Sequence, residues 1–135
     1  MQPFEAVIDP QARPGRVRFE QADAMALSEE LGTFDIVLAA NLICRLSEPR
    51  KFLTRLPGLV RPGGQLLLTT PMTWLEDYTS RENWLGLRKS CREELHDILS
   101  GEFTLELEKD LPFLIREHAR KFQYTVALGS RWRRS

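Results

Sequence analysis

The sequence predicts an α/β layered fold, a parallel sheet covered by helices and finished by an antiparallel strand pair. Three observations carry this expectation. Two short and nearly uninterrupted apolar runs, FDIVLAA (Phe34 to Ala40) and QLLLTT (Gln65 to Thr70), have the composition of strands buried on both faces of a parallel sheet. Between them Phe52, Leu53, Leu56, Leu59 and Val60 recur at helical spacing and form one apolar stripe. Beyond Gly101 the pattern switches to alternation, with Phe103, Leu105 and Leu107 in one run and Phe122, Tyr124, Val126 and Leu128 in a second. Strands that alternate with helices imply parallel pairing through crossovers, and a terminal strand pair can be antiparallel.

The elements follow in order. Pro3, Pro10, Pro14 and Gly15 deny the first sixteen residues any sustained period, so 1–16 reads as a loop or linker. Val17 to Glu20 is a short strand candidate, followed by Asp23-Ala24 and a helix or turn ending near Leu31-Gly32. After the Phe34 to Ala40 strand, Ser47 offers an N-cap and Pro49 an early-turn proline. Pro57 cannot donate back to Leu53, which predicts a kinked or separate last turn. Arg61-Pro62-Gly63-Gly64 is a turn in which proline fixes φ and the first glycine takes positive φ. Pro71 to Leu87, rich in aromatics and without a period, reads as loop and short helices. Ser90 and Glu93 have capping-box spacing, Cys91, Leu95, Ile98 and Leu99 make the helix's buried stripe, and Gly101 stops it. The two alternating strands are then joined by Asp110 to Lys121.

Composition narrows the function classes. The chain has 135 residues, 42% of them hydrophobic and 28% charged, which suits one domain or part of one and excludes a disordered chain. No run approaches the ~20 apolar residues of a membrane span, and the start, Met-Gln-Pro-Phe-Glu, lacks a signal peptide's basic and apolar segments. A formal net charge of zero argues against a protein whose whole surface is a nucleic-acid footprint. Locally the charge is uneven. Glu93 to Asp110 holds seven acids and one base, and Leu111 to Ser135 holds six bases and one acid. The basic end with Trp132 among arginines allows stacking on nucleic acid, but pairing with the acidic stretch is the simpler reading. The two cysteines and two histidines have no metal-ligand spacing. Cys44 and Cys91 read as buried thiols, and the expected compartment is reducing and cytoplasmic.

In such sheets the ligand site lies beyond the carboxyl ends of the strands. Asp23-Ala24, Asn41 with Arg45, Pro71 to Trp84, and Asp110 to Lys121 all fall there. Each has an alternative: Asp23 and Asn41 as turn caps, Trp74 and Trp84 as core aromatics, Arg116 as half of a surface pair with Glu117 or Asp110. There is no G-x-S-x-G elbow, and the adjacent Glu76 and Asp77 do not face one point as a glycosidase pair must. None of the eight glycines forms the G-x-G turn that usually opens a nucleoside pocket after the first strand. The first βαβ unit of such a fold is therefore not evident.

Taken together, Asp23-Ala24, FDIVLAAN (Phe34 to Asn41) and LVRPGGQLLLTTP (Leu59 to Pro71) resemble the second half of class I S-adenosylmethionine-dependent methyltransferases. NLICRLSEPRKFL (Asn41 to Leu53), TPMTWLEDYTSRENWLG (Thr70 to Gly86) and DLPFLIREHARKFQYTV (Asp110 to Val126) resemble the C-terminal methyltransferase domain of the bifunctional ovothiol-biosynthesis enzymes. This resemblance covers Val17 to Arg134 and implies an incomplete Rossmann-like methyltransferase fold, with 17–135 its C-terminal part. It implies S-adenosylmethionine as cofactor and a thiohistidine-like small molecule, methylated on an imidazole nitrogen, as substrate. Asp23 would bind the adenine amino group, Ala24 would line the adenine, and Asn41 would face the methionine part and the reaction centre. Arg45, Trp74, Tyr78, Trp84, Arg116 and Arg120 would surround the substrate. No metal, nucleic acid or membrane is implied. The alternative is a non-catalytic half-domain that dimerises or pairs with a missing N-terminal half.

Overall fold

The computed structural model describes residues 7, 9–11, 15 and 17–135, so most of the linker expected over 1–16 lies outside the described residues. Four strands form one mixed sheet: β1 (Phe34–Ala40), β2 (Val60–Thr70), β3 (Phe103–His118) and β4 (Lys121–Arg134), in the spatial order β1-β2-β4-β3. β1 and β2 are parallel, while β4 is antiparallel to both β2 and β3. Two helices, α1 (Pro49–Arg55) and α2 (Cys91–Leu99), complete the layers. No helix among the described residues is long and apolar enough to cross a membrane.

Local chemistry explains most boundaries. α1 starts on Pro49, whose missing N–H costs nothing in a first turn, but the N-cap position is Glu48 rather than Ser47. Glu48 makes no side-chain capping bond, so the proline sets this start without a cap. Pro57 ends α1 as its missing N–H requires, and Leu56–Gly58 continues as a separate 3-10 turn. α2 carries the complete capping box: Glu93 N–H donates to Ser90 Oγ at 3.2 Å, and Ser90 N–H donates to Glu93 Oε2 at 2.9 Å. The Arg61 to Gly64 turn is a bulge, since β1 advances from Phe34 to Ile36 while β2 advances from Val60 to Gln65. Gly63 has φ of 76°, and a Cβ on Gly64 would lie 2.8 Å from the Asp35 carbonyl oxygen and 2.9 Å from that of Arg61. Both glycines are required.

Three expectations are corrected. Val17 to Glu20 is not a strand, because no described strand offers its backbone a partner. β1 is not buried on both faces: Ala39 is buried, but Phe34, Ile36 and Leu38 are 43%, 57% and 63% exposed. The core joins α1, its following turn, α2 and one face of the sheet, which leaves the opposite face of β1 without cover among the described residues. The connection expected over Asp110 to Lys121 is strand except for a two-residue turn at Ala119 and Arg120. β3 and β4 pair from Phe103↔Arg134 to His118↔Lys121, with register shifts near Leu105 and Arg116.

The core comprises Leu53, Leu56, Leu66, Leu68, Leu95, Leu99 and Trp132, all essentially inaccessible. Trp132 donates its indole N–H to Ser130 Oγ at 2.9 Å, so it cannot stack on a nucleic acid. The arginines beside it meet the acidic stretch: Arg131 lies 3.0 Å from Glu106, Arg133 pairs with Glu106, and Arg134 pairs with Glu102.

Candidate functional site

At the carboxyl end of β1 the chain turns sharply, and Asn41 takes a left-handed backbone with φ of 51°. Asparagine tolerates this region better than most residues, and Thr69 fixes it there. The Asn41 N–H donates to Thr69 O at 2.9 Å, and Thr69 Oγ1 donates to Asn41 Oδ1 at 2.9 Å. The Asn41 amide NH₂ is left without a partner among the described residues. Asp23 accepts from Met25 N–H at 2.8 Å through Oδ1, which is the turn-capping role. Its second carboxylate oxygen has no partner among the described residues. Ala24 is half-buried against the core.

Arg45 leaves a 3-10 turn (Ile43–Arg45) and spans to the loop after β2. It donates to Thr73 O at 3.0 Å and to Cys44 O at 2.9 Å, and its guanidinium sits 5.1 Å from the Tyr78 ring centroid. Arg45 and Tyr78 are thus brought together. Trp84 donates its indole N–H to Thr79 O at 2.8 Å, and Thr79 Oγ1, fully buried, donates to Leu46 O at 2.7 Å. Trp74 packs half-buried against the core, and its indole nitrogen is buried with no partner among the described residues. Arg116 and Arg120 lie elsewhere, at the far end of the β3–β4 ribbon. The Arg116↔Phe122 pair is six residues along β4 beyond Leu128, where pairing with β2 ends, or roughly 20 Å. That ribbon overhangs the same end of the sheet.

Two hollows adjoin this end. One, of about 470 Å³, is lined by Arg50, Glu82, Leu87, Arg88 and Glu94. Of its two arginines, Arg50 is committed: it donates to Glu94 at 2.9 Å, to Asn83 O at 3.0 Å and to Trp84 O at 3.1 Å. Glu94 also accepts from Gly86 N–H at 2.8 Å. Burial works against ionisation of Glu94, but the Gly86 N–H and Arg50 outweigh it and hold the carboxyl below its usual range. This network rivets α1, the 80–87 loop and α2. Beside it, burial with Glu94 and Cys44 nearby pushes the Cys91 thiol up to about 11, which disfavours the thiolate.

The second hollow, of about 440 Å³, opens at the carboxyl end of β2 between Thr70, Met72, Ser90, Arg92, Asp110 and Leu128. Arg92 Nε lies 2.8 Å from Glu108 Oε1, and His96 Nε2 lies 2.7 Å from Glu108 Oε2. His96 stands edge-on to Trp132, with ring centroids 5.2 Å apart. Sequence reading missed this group, because spacing places residues on one face of a helix or strand but does not say which faces meet. Arg92 and His96 are one helical turn apart, and Glu108 and Asp110 share a strand face. No group of residues with metal-ligand geometry occurs among the described residues.

Residues 5–68 match the model of a family described as a methyltransferase domain. No curated protein matches the chain. Among solved structures, an S-adenosylmethionine-dependent methyltransferase from Methanosarcina mazei is similar, with a TM-score of 0.63 and 15% identity, over 92% of this chain and 70% of that one. The N-methyltransferase NodS from Bradyrhizobium japonicum, in complex with S-adenosyl-L-homocysteine, gives a TM-score of 0.53 and 17% identity, over 84% of this chain and 52% of that one. A protein from echinomycin biosynthesis, described as converting a disulfide bond into a thioacetal group, gives 0.61 and 19%, over 87% and 55%. The chain therefore spans about half the length of the last two.

Proposed function

We propose that this chain is a class I S-adenosylmethionine-dependent methyltransferase domain, a reading supported by its fold and by the family match over residues 5–68, and that it methylates a ring nitrogen of a thiohistidine-like small molecule. The observation that carries the reading is Asn41, held left-handed by Thr69 at the carboxyl end of β1 with its amide NH₂ uncommitted among the described residues. The resemblance of Asn41 to Leu53, Thr70 to Gly86 and Asp110 to Val126 to the ovothiol-type domain supports the substrate class.

The residues present fit the cofactor in part. Asp23 offers a carboxylate oxygen to an adenine amino group, Ala24 a small apolar wall, and Asn41 an N–H donor to the methionine part. The described residues supply no glycine-rich turn. When bound, S-adenosylmethionine supplies a methyl group on a positively charged sulfur. Asn41 and the loop carrying Trp74, Tyr78 and Trp84 would align the ring nitrogen's lone pair with that methyl. Arg45 holds Tyr78 in place, and Arg116 and Arg120 would approach from the overhanging ribbon. With Asp23, Ala24 and Asn41 holding the cofactor, its methyl would pass to the ring nitrogen with the electron pair left on sulfur, and solvent would take the ring proton. Alignment alone is worth about 7–11 kcal/mol of a barrier, so no catalytic histidine is required.

A second reading is a non-catalytic half-domain that dimerises or pairs with a complementary half. The exposed Phe34, Ile36 and Leu38 favour it, as does an edge of β1 that pairs with nothing else among the described residues. Calorimetry with S-adenosylmethionine, followed by mass spectrometry of 5-thiohistidine incubated with both, separates the two readings. Cofactor binding and a methylated product are expected. Binding without methylation would overturn the substrate assignment. No binding, with a dimer in light scattering, would favour the half-domain.

A further inference from the structure

We infer that the cleft between β2, α2 and β3 is a subsite for the amino-acid portion of a zwitterionic substrate, with Arg92 taking the carboxylate and Asp110 the ammonium group. This rests on reading the carboxyl end of the sheet as the methyl-transfer site. The cleft holds about 440 Å³, room for an amino acid with a five-membered ring, and Arg92 and Asp110 both line it.

Arg92 is already oriented. Its Nε lies 2.8 Å from Glu108 Oε1 in an ion pair that draws the guanidinium toward the cleft wall, and both terminal nitrogens are without a hydrogen-bond partner among the described residues. Two free terminal nitrogens of one guanidinium form a two-pronged donor, the geometry that recognises carboxylate. Glu108 is fixed in turn. Its second oxygen meets His96 Nε2 at 2.7 Å, and that ring is braced by the buried Trp132. Glu108 and His96 are therefore positioning residues.

Asp110 lies two residues after Glu108 on β3, on the same face, and its carboxylate has no partner among the described residues. One wall of the cleft thus offers a fixed cation and another a free anion. A zwitterion satisfies both, whereas a simple acid or amine leaves one charge unmatched. The loop entering the cleft is also held in an uncommon form. Met72 has φ of 54°, and its N–H donates to Thr70 Oγ1 at 3.1 Å.

The test compares three probes on the full chain by NMR titration: L-histidine, histamine without the carboxylate, and imidazole-4-propionate without the ammonium. L-Histidine is expected to bind about tenfold more tightly than either, with shifts centred on Ser90, Arg92 and Asp110. Arg92→Met should bring L-histidine down to histamine, and Asp110→Asn should bring it down to imidazole-4-propionate. Equal affinity for the three probes in the unaltered chain would overturn the subsite, whether or not the variants fold. Because no cofactor is present in the titration, selective histidine binding without S-adenosylmethionine binding would sustain the subsite and break the methyl-transfer reading. Cofactor binding with equal probe affinities would do the reverse.

Discussion

The two halves of β4 belong to one continuous strand and meet opposite fates. In the basal half Ala127, Leu128, Ser130 and Trp132 are buried, because β2 and β3 pair with it on both edges and the helices cover a face. In the distal half Phe122, Tyr124 and Val126 are 55%, 65% and 43% exposed, because only β3 lies alongside. Alternation therefore specifies a strand and its two faces, while burial depends on what else arrives beside it. The basal half is the foundation of the domain. The distal half is a ribbon that overhangs the candidate site.

The largest effect should come from truncating the basal half. Trp132→Ala is expected to cost about 3–5 kcal/mol in urea denaturation, whereas Tyr124→Ala should stay within about 0.5 kcal/mol. Equal costs would mean that the overhang is packed in solution. Next in size is the rivet beside the basal core. Arg50→Ala leaves Glu94 and two carbonyls unmatched and is expected to cost about 2 kcal/mol. An unchanged midpoint would show that the loop holds without it.

A smaller effect is set by pH. Glu94 is held below the ordinary carboxylate value of 4.5, so its stabilisation is fully present above that pH and is lost as pH falls through the lower folded value. The stability difference between the unaltered chain and Glu94→Gln should therefore shrink only in acid. A difference that shrank between pH 8 and 6 would contradict the assignment. The smallest effect is chemical. With its thiol pushed up to about 11, Cys91 should resist iodoacetamide at pH 8 in the folded chain and react once urea unfolds it. Rapid labelling of the folded chain would show that this region opens.

Local signals made much of the fold legible. The apolar runs marked β1 and β2, Pro57 marked the break after α1, Gly63 the left-handed turn position, and Ser90 with Glu93 the start of α2. The length of the β3–β4 ribbon was not legible, since Pro112 and two register shifts interrupt the alternation. Pro112 is tolerated because β3 is an edge strand, and no local pattern says which strand will be at the edge. In the site, Asn41 could be read from its place at a strand end. The Arg92–Glu108–His96 group could not, because it joins a helix to a strand through side chains whose meeting depends on how the two pack.

By itself, then, the sequence determined the order of strands and helices from Phe34 onward, the turn at Gly63, the capping box of α2 and the place of Asn41 at a strand end. These follow from backbone sterics, hydrogen-bonding capacity and period, all of which act over a few residues. Only the tertiary structure decided that β1 would keep one apolar face open, that β4 would be half core and half overhang, and that Arg92 would be set by Glu108 beside Asp110. Those outcomes depend on which surfaces come together across the sheet, and a packing choice of that kind has no local signature.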